Sequence, residues 1–229
     1  MYNHNQRIIL NFLGLLLIAV IGAQSAPAAT YIEKFTEITA SRHTQIIWQI
    51  TRQDNHTTLQ VSQSALNYVT TTDESLNVLR CEFNNDRAKT ILTAARDKNT
   101  LVLRGTFKGA PIEKKILIDE APWYQPLSFS LSKFIKSRNT RISFWTINPD
   151  TLKAYKMQAS KTGLPEILSI SGKKYHAQKV KVNLTGVKGA FWHAYYWFEL
   201  DTGLYLQYEG VNGPPGTPGT RTTRENATS

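Results

Sequence analysis

From residue 31 onward, large apolar residues recur at every second position. Ile46, Trp48 and Ile50 point one way while Ile47, Gln49 and Thr51 point the other. The same alternation runs through Leu59 and Val61, through Leu79, Cys81 and Phe83, through Leu101 and Leu103, and through Val180, Val182 and Leu184. A period of two is that of a half-buried β-strand. Turn formers separate the runs, among them Asp54-Asn55, Asn84-Asn85-Asp86, Asp97-Lys98-Asn99, Ser171-Gly172 and Asp201-Thr202-Gly203. Strands joined by so few residues pair antiparallel, because a parallel crossover takes a dozen or more connecting residues. The pattern predicts about ten such strands.

One segment breaks the period. After Pro126, the apolar residues Leu127, Leu131, Phe134 and Ile135 fall at i, i+4, i+7 and i+8, the spacing of a helix with one apolar stripe. We expect one amphipathic helix over residues 126–136 with Pro126 at its first position, where a missing N–H costs nothing. Its stripe needs a surface to cover, and the concave face of a curved sheet supplies one. The expected fold is therefore mainly β: a single strongly curved antiparallel sheet, a half barrel, with the helix on the concave side as a plug or lid. A β-sandwich capped by the helix is the alternative. An outer-membrane barrel would also alternate in this way, but it has no use for an amphipathic helix or for a polar Gly/Pro tail.

The N-terminus reads differently. A polar start with the single cation Arg7 precedes an apolar run from Ile8 to Gly22, interrupted only by Asn11, and then small residues from Ala23 to Ala29. This is the layout of a secretory signal peptide, and the run is short for the roughly 20 apolar residues of a membrane-spanning helix. We expect cleavage after Ala26 or Ala28 and a destination in the periplasm or outside the cell. No cysteine stands where a lipid anchor would be attached. The expected organisation is a signal over residues 1–28, one β-rich domain over 29–211, and a Gly/Pro-rich extended or disordered tail over 212–229.

Charge narrows the partners. The chain carries 27 basic and 17 acidic residues, a net charge of +10, which becomes +9 when Arg7 leaves with the signal. Such a balance favours acidic partners, an anionic membrane surface among them. The cations are scattered singly or in pairs such as Lys114-Lys115 and Lys173-Lys174, so no specific nucleic-acid site is predicted and solvated strand faces account for most of them. The lone Cys81 has no partner for an internal disulfide, and its alternation with Leu79 and Phe83 reads as a buried, inert thiol.

Catalytic chemistry leaves little trace. Asp201-Thr202-Gly203 matches the short signature of aspartic proteases, whose reaction needs two such carboxylates sharing a proton. The chain has one, placed between two aromatic-rich runs where Asp and Gly make a hairpin turn. His43, His56, His176 and His193 lack metal-ligand spacing. No catalytic residue, metal site or cofactor is predicted, although a hydrolase with its residues dispersed along the sequence stays open.

The densest feature is the run Phe191-Trp192-His193-Ala194-Tyr195-Tyr196-Trp197-Phe198, which puts large rings on both faces of one strand. Either that strand is covered on both sides, or one aromatic face lines a cavity. With the helix as a lid, we expect a cavity lined by Trp123, Leu127, Leu131, Phe134 and Ile135, with Tyr195 and Trp197 opposite.

The stretch Ala121-Pro122-Trp123-Tyr124-Gln125-Pro126-Leu127, followed far downstream by residues 196–210 with Phe198-Glu199-Leu200-Asp201-Thr202-Gly203-Leu204 at their centre, resembles exported bacterial proteins grouped as a domain of unknown function. That group is similar in architecture to lipoprotein carriers of the LolA and LolB type, where a curved antiparallel sheet wraps an apolar cavity closed by helical lids. The resemblance implies a periplasmic binding or carrier module for a lipid or acylated ligand. An envelope scaffold or assembly partner without a small-molecule ligand is the alternative. One helix here stands in place of several, and no acyl-chain site carries over.

Overall fold

The period of two becomes a single sheet. The computed structural model describes residues 28–186, 192–211 and 217–225, and among them fourteen strands join in one antiparallel sheet. The first eight form a meander of hairpins: β1 (Ala29–Thr39), β2 (Arg42–Gln53), β3 (His56–Gln63), β4 (Leu66–Thr72), β5 (Val78–Asn85), β6 (Thr90–Asp97), β7 (Thr100–Phe107) and β8 (Ala110–Leu117). Two helical pieces follow, α1 (Leu127–Ser130) and α2 (Ser132–Lys136). A second meander completes the chain: β9 (Arg141–Asn148), β10 (Lys153–Ile170), β11 (Lys173–Leu184), β12 (His193–Glu199), β13 (Tyr205–Val211) and β14 (Gly219–Arg224).

The two meanders are joined by β1 and β14, which pair with Phe35 opposite Arg224 and Thr39 opposite Thr220. The edges of the sheet are therefore β8 and β9, consecutive in sequence but thirteen strand spacings apart across the sheet. Laid flat, those edges would stand roughly 60 Å from each other at about 4.8 Å per spacing. Yet Trp123, six residues beyond the end of β8, bridges to Trp145 on β9, and six residues reach about 20 Å at most. The sheet must curl until its edges nearly meet. Bonds across the gap hold it there: Trp123 O accepts from Val78 N at 2.9 Å, Tyr124 N donates to Trp145 O at 2.9 Å, and Lys114 Nζ donates to Leu152 O at 2.8 Å. No ladder joins β8 to β9, so the barrel-like sheet stays open.

Several expectations need correction. There are fourteen described strands where the alternation predicted about ten, and one sheet, not the alternative sandwich. The helix is two short pieces broken at Leu131 and begins at Leu127, with Pro126 extended at φ −76° and ψ 156°. Residues 219–224, expected in a tail, form β14 in the middle of the sheet, between β1 and β13. That strand turns Thr220 and Thr222 to a buried face, 3% and 6% exposed. Threonine is a good strand residue, but it gives no apolar alternation to read. The signal expectation over residues 1–28 lies, but for Ala28, outside the described residues, as do 212–216 and 226–229 of the expected tail.

Curling makes one face interior. Its main cluster gathers Phe35, Trp48, Ile50, Val61, Phe144, Val180, Tyr196 and Phe198 from both meanders around Phe129, Leu131, Phe134 and Ile135 of the helical segment. A second cluster under the β8 and β9 edges holds Cys81, Leu103, Trp123 and Ile147, and a third, with Tyr175, Ala177, Trp197 and Leu206, covers part of the other face.

Candidate functional site

The helical segment is held at both ends. Upstream, Gln125 Oε1 accepts from Thr146 Oγ1 at 3.0 Å and from Ile147 N at 3.1 Å, which fixes the approach to α1 on β9. Downstream, Lys161 of β10 donates from Nζ to Ile135 O at 2.9 Å and Ser137 O at 2.7 Å, satisfying carbonyls left free where the helix ends. Partial burial lowers the pKa of this lysine. Between these anchors Leu131, Phe134 and Ile135 are 0%, 3% and 3% exposed. The stripe read from sequence is thus core, and it docks the segment onto the concave face.

Beside the docked segment lies a cleft of about 510 Å³. Its floor is an aromatic stack. Trp48 lies 5.6 Å from Tyr205 with the rings nearly parallel, Phe35 lies 4.6 Å from Trp48, and Phe129 of α1 meets Trp48 edge-on at 6.3 Å. Burial pushes the Tyr205 phenol well above its ordinary value, so it remains neutral. The rim is charged: Arg52 from β2, Lys133 and Lys136 from α2, Asp54 from the β2–β3 turn and Glu74 after β4. Arg52 is engaged, donating to the Tyr31 hydroxyl at 3.1 Å and lying 5.4 Å from that ring centre. Glu33 is also engaged, held at 2.6 Å by Arg224 with both side chains nearly buried. Lys133 and Lys136 are exposed and form no ion pair or side-chain hydrogen bond among the described residues.

The predicted cavity residues do not gather in one place. Leu131, Phe134 and Ile135 pack in the interior cluster, and the half-buried Leu127 packs against it. Trp123 is fully buried elsewhere, in the cluster beneath the β8 and β9 edges, its indole N–H without a hydrogen-bond partner among the described residues. Tyr195 and Trp197 face away from the helix. Their rings lie 4.2 Å and 4.8 Å from the Lys179 ammonium, and Trp197 Nε1 donates to Glu166 Oε1 at 2.6 Å. The residues of β12 turned toward the helix are Ala194, Tyr196 and Phe198. The sequence missed the face because both alternate sets are aromatic and a shift of one residue exchanges them. It also missed Phe35, Trp48, Phe129 and Tyr205; for Trp48 the signal was the alternation with Ile46 and Ile50, but the ring partners come from distant strands.

Asp201-Thr202-Gly203 makes the β12–β13 turn. Gly203 has φ +73° and donates to Glu199 O at 2.9 Å, while Thr202 Oγ1 donates to the Glu199 carboxylate and accepts from Leu204 N at 3.1 Å. A Cβ on Gly203 would stand 2.5 Å from Ser132 O, so this turn is pressed against α2 and only glycine fits. Among the described residues no three His, Cys, Asp or Glu side chains are grouped to hold a metal, and no helix is long and apolar enough to cross a membrane.

The fold defines a class: an open, barrel-like antiparallel sheet with a helical insert on its concave face. A solved structure of that class is the β-barrel-like protein of the domain of unknown function DUF1849 from Brucella abortus, with a TM-score of 0.55 and 11% identity, covering 86% of this chain and 94% of that one. The hypothetical lipoprotein YmcC from Escherichia coli K12 matches with a TM-score of 0.44 and 10% identity, over 86% and 85% of the two chains. No family model and no curated protein matches the sequence. At these identities the likeness to the Brucella protein is one of fold.

Proposed function

We propose that this chain is an exported binding or carrier module for an amphiphilic, lipid-like molecule. The apolar part of the ligand lies on the Trp48, Tyr205 and Phe129 rings, and its acidic headgroup meets Lys133 and Lys136. The single observation that carries this reading is the pairing, in one cleft of about 510 Å³, of an aromatic floor with two lysines that have no ionic partner among the described residues. That volume suits a small ligand, and the lining joins the Phe35, Trp48, Phe129 and Tyr205 rings to a polar and charged rim, as an amphiphile requires. Long-range attraction from the net positive charge adds to the pull on an acidic headgroup. The proposal keeps the comparison with LolA and LolB type carriers and export through the signal at residues 1–28. It changes the role of the helix: Leu131, Phe134 and Ile135 anchor it, and residues on its other side form the wall of the cleft.

The test joins native mass spectrometry of protein purified from its own host with displacement of anilinonaphthalene sulfonate, an anionic aromatic probe, by lysophosphatidylglycerol. The expected results are a co-purifying mass in the lipid range and displacement that weakens at least tenfold in Lys133→Glu/Lys136→Glu. A chain that flies only at its apo mass, with displacement unchanged by the charge reversal, overturns the proposal. It would favour the second reading, an envelope scaffold or assembly partner, which draws its support from the burial of Leu131, Phe134 and Ile135 in the core.

A further inference from the structure

The opposite mouth of the sheet has a different chemistry. An antiparallel meander places successive turns at alternate ends, so the β1–β2, β3–β4 and β5–β6 turns lie together, away from the helical segment. Asp86 N donates to Ala65 O at 3.2 Å and ties two of these turns to each other. They enclose a cleft of about 800 Å³ whose lining is mostly polar, with Ser41, Thr44, Gln63, Ser64 and Asn85 supplying hydroxyl and amide groups. Among the described residues no Phe, Tyr or Trp lines it.

Three basic side chains, Arg42, His43 and Arg87, border this cleft, and a single acid, Glu37, lies in its lining. Arg42 and Arg87 are exposed and have no ion pair or side-chain hydrogen bond among the described residues. Glu37 is engaged: Gln63 Nε2 donates to its carboxylate at 2.9 Å, and Thr222 donates as well. Two free guanidinium groups at the mouth of a hydroxyl-rich cleft match one ligand feature above others, because the planar fork of arginine fits the oxygens of a phosphate.

We infer that this cleft is a second binding site, for a phosphate group carried on a polyhydroxylated molecule, with Arg42 and Arg87 holding the phosphate and Gln63, Asn85 and Glu37 meeting the hydroxyls. The site is independent of the amphiphile cleft. The phosphate belongs either to a free sugar phosphate or to a phospholipid headgroup, and both present the same oxygens to the two arginines.

Isothermal titration of the purified protein, at low salt and at physiological salt, uses glucose 1-phosphate, glucose, inorganic phosphate and phosphatidylglycerol vesicles as probes. Saturable binding of glucose 1-phosphate that inorganic phosphate competes away, with none for glucose, supports a soluble ligand. Binding of the vesicles alone supports a headgroup. In either case Arg42→Gln/Arg87→Gln weakens binding at least tenfold, while Lys115→Gln, an exposed position on β8 outside both clefts, leaves it unchanged. Both arginines are exposed, so near-ultraviolet circular dichroism of the double variant is expected to match that of the parent. The inference is overturned if neither glucose 1-phosphate nor the vesicles bind saturably, or if the double arginine variant binds as the parent does.

Discussion

Arg224 separates a strand in the middle of the sheet from a solvated tail. It ends β14, its Nη2 lies 2.6 Å and its Nε 2.7 Å from Glu33 Oε2 on β1, and its Nη1 donates to the Tyr175 hydroxyl at 3.3 Å. The two side chains of the ion pair are 11% and 13% exposed, so solvent screens the pair little. Replacing Arg224 with Met leaves Glu33 as an uncompensated, nearly buried carboxylate, and removing one partner of such a pair costs about 3–5 kcal/mol. For a chain of this size each kcal/mol moves Tm by about 2–4 °C, so the midpoint falls by roughly 6–20 °C. An arginine in a solvated tail would change stability by less than about 0.5 kcal/mol. Urea unfolding followed by tryptophan fluorescence reads the difference directly. The double variant Glu33→Gln/Arg224→Met is expected to lose less than the sum of the two single losses, because the residues share one interaction. A loss below about 0.5 kcal/mol for Arg224→Met, with additive behaviour in the double variant, would refute the placement of β14 and its ion pair.

Three further outcomes follow from individual sites. Burial raises the Glu37 carboxyl above its ordinary value of 4.5, so folding favours its protonated form; its contribution is fully present below the unfolded value and is lost as pH rises through the folded one. Glu37→Gln is therefore expected to gain stability over the parent as pH climbs from about 4 toward 7, and a stability difference that is flat across that window would speak against burial as the cause. Burial pushes the Cys81 thiol up to about 11, so a disulfide reagent such as dithionitrobenzoate at pH 8 should label it only as fast as the protein opens, and immediate labelling would contradict its place in the core. Gly203→Val meets both a positive φ and the Ser132 carbonyl at 2.5 Å, and should destabilise by at least about 1–3 kcal/mol, whereas Asp201→Asn, an exposed turn substitution, is expected to leave the thermal midpoint within measurement error.

How far the sequence reached depended on what each signal encodes. Alternation at Ile46-Trp48-Ile50, at Leu59-Val61 and at Val180-Val182 is a local property of a strand with one dry face, so the class of fold, the antiparallel pairing and the inward faces of these strands could be read directly. The helical stripe was equally legible, since Leu131, Phe134 and Ile135 obey a period that only a helix brings to one side. Nothing local marks β14, whose buried positions are threonines, or tells that β1 pairs with it from the far end of the chain. Pairing over so long a separation is decided by which edge is left free once the hairpins have formed, and that is a property of the whole sheet. The same holds for β12: with rings on both faces, its local pattern is satisfied by either orientation. Only the register with β11 and β13, with Tyr196 opposite Val180 and Tyr208, sends Tyr196 and Phe198 inward and leaves Tyr195 and Trp197 to Lys179. Both clefts also belong to the tertiary structure, because curling of the sheet brings Trp48, Tyr205 and Lys133 together at one mouth and Arg42 and Arg87 at the other, across separations in sequence that no spacing rule spans.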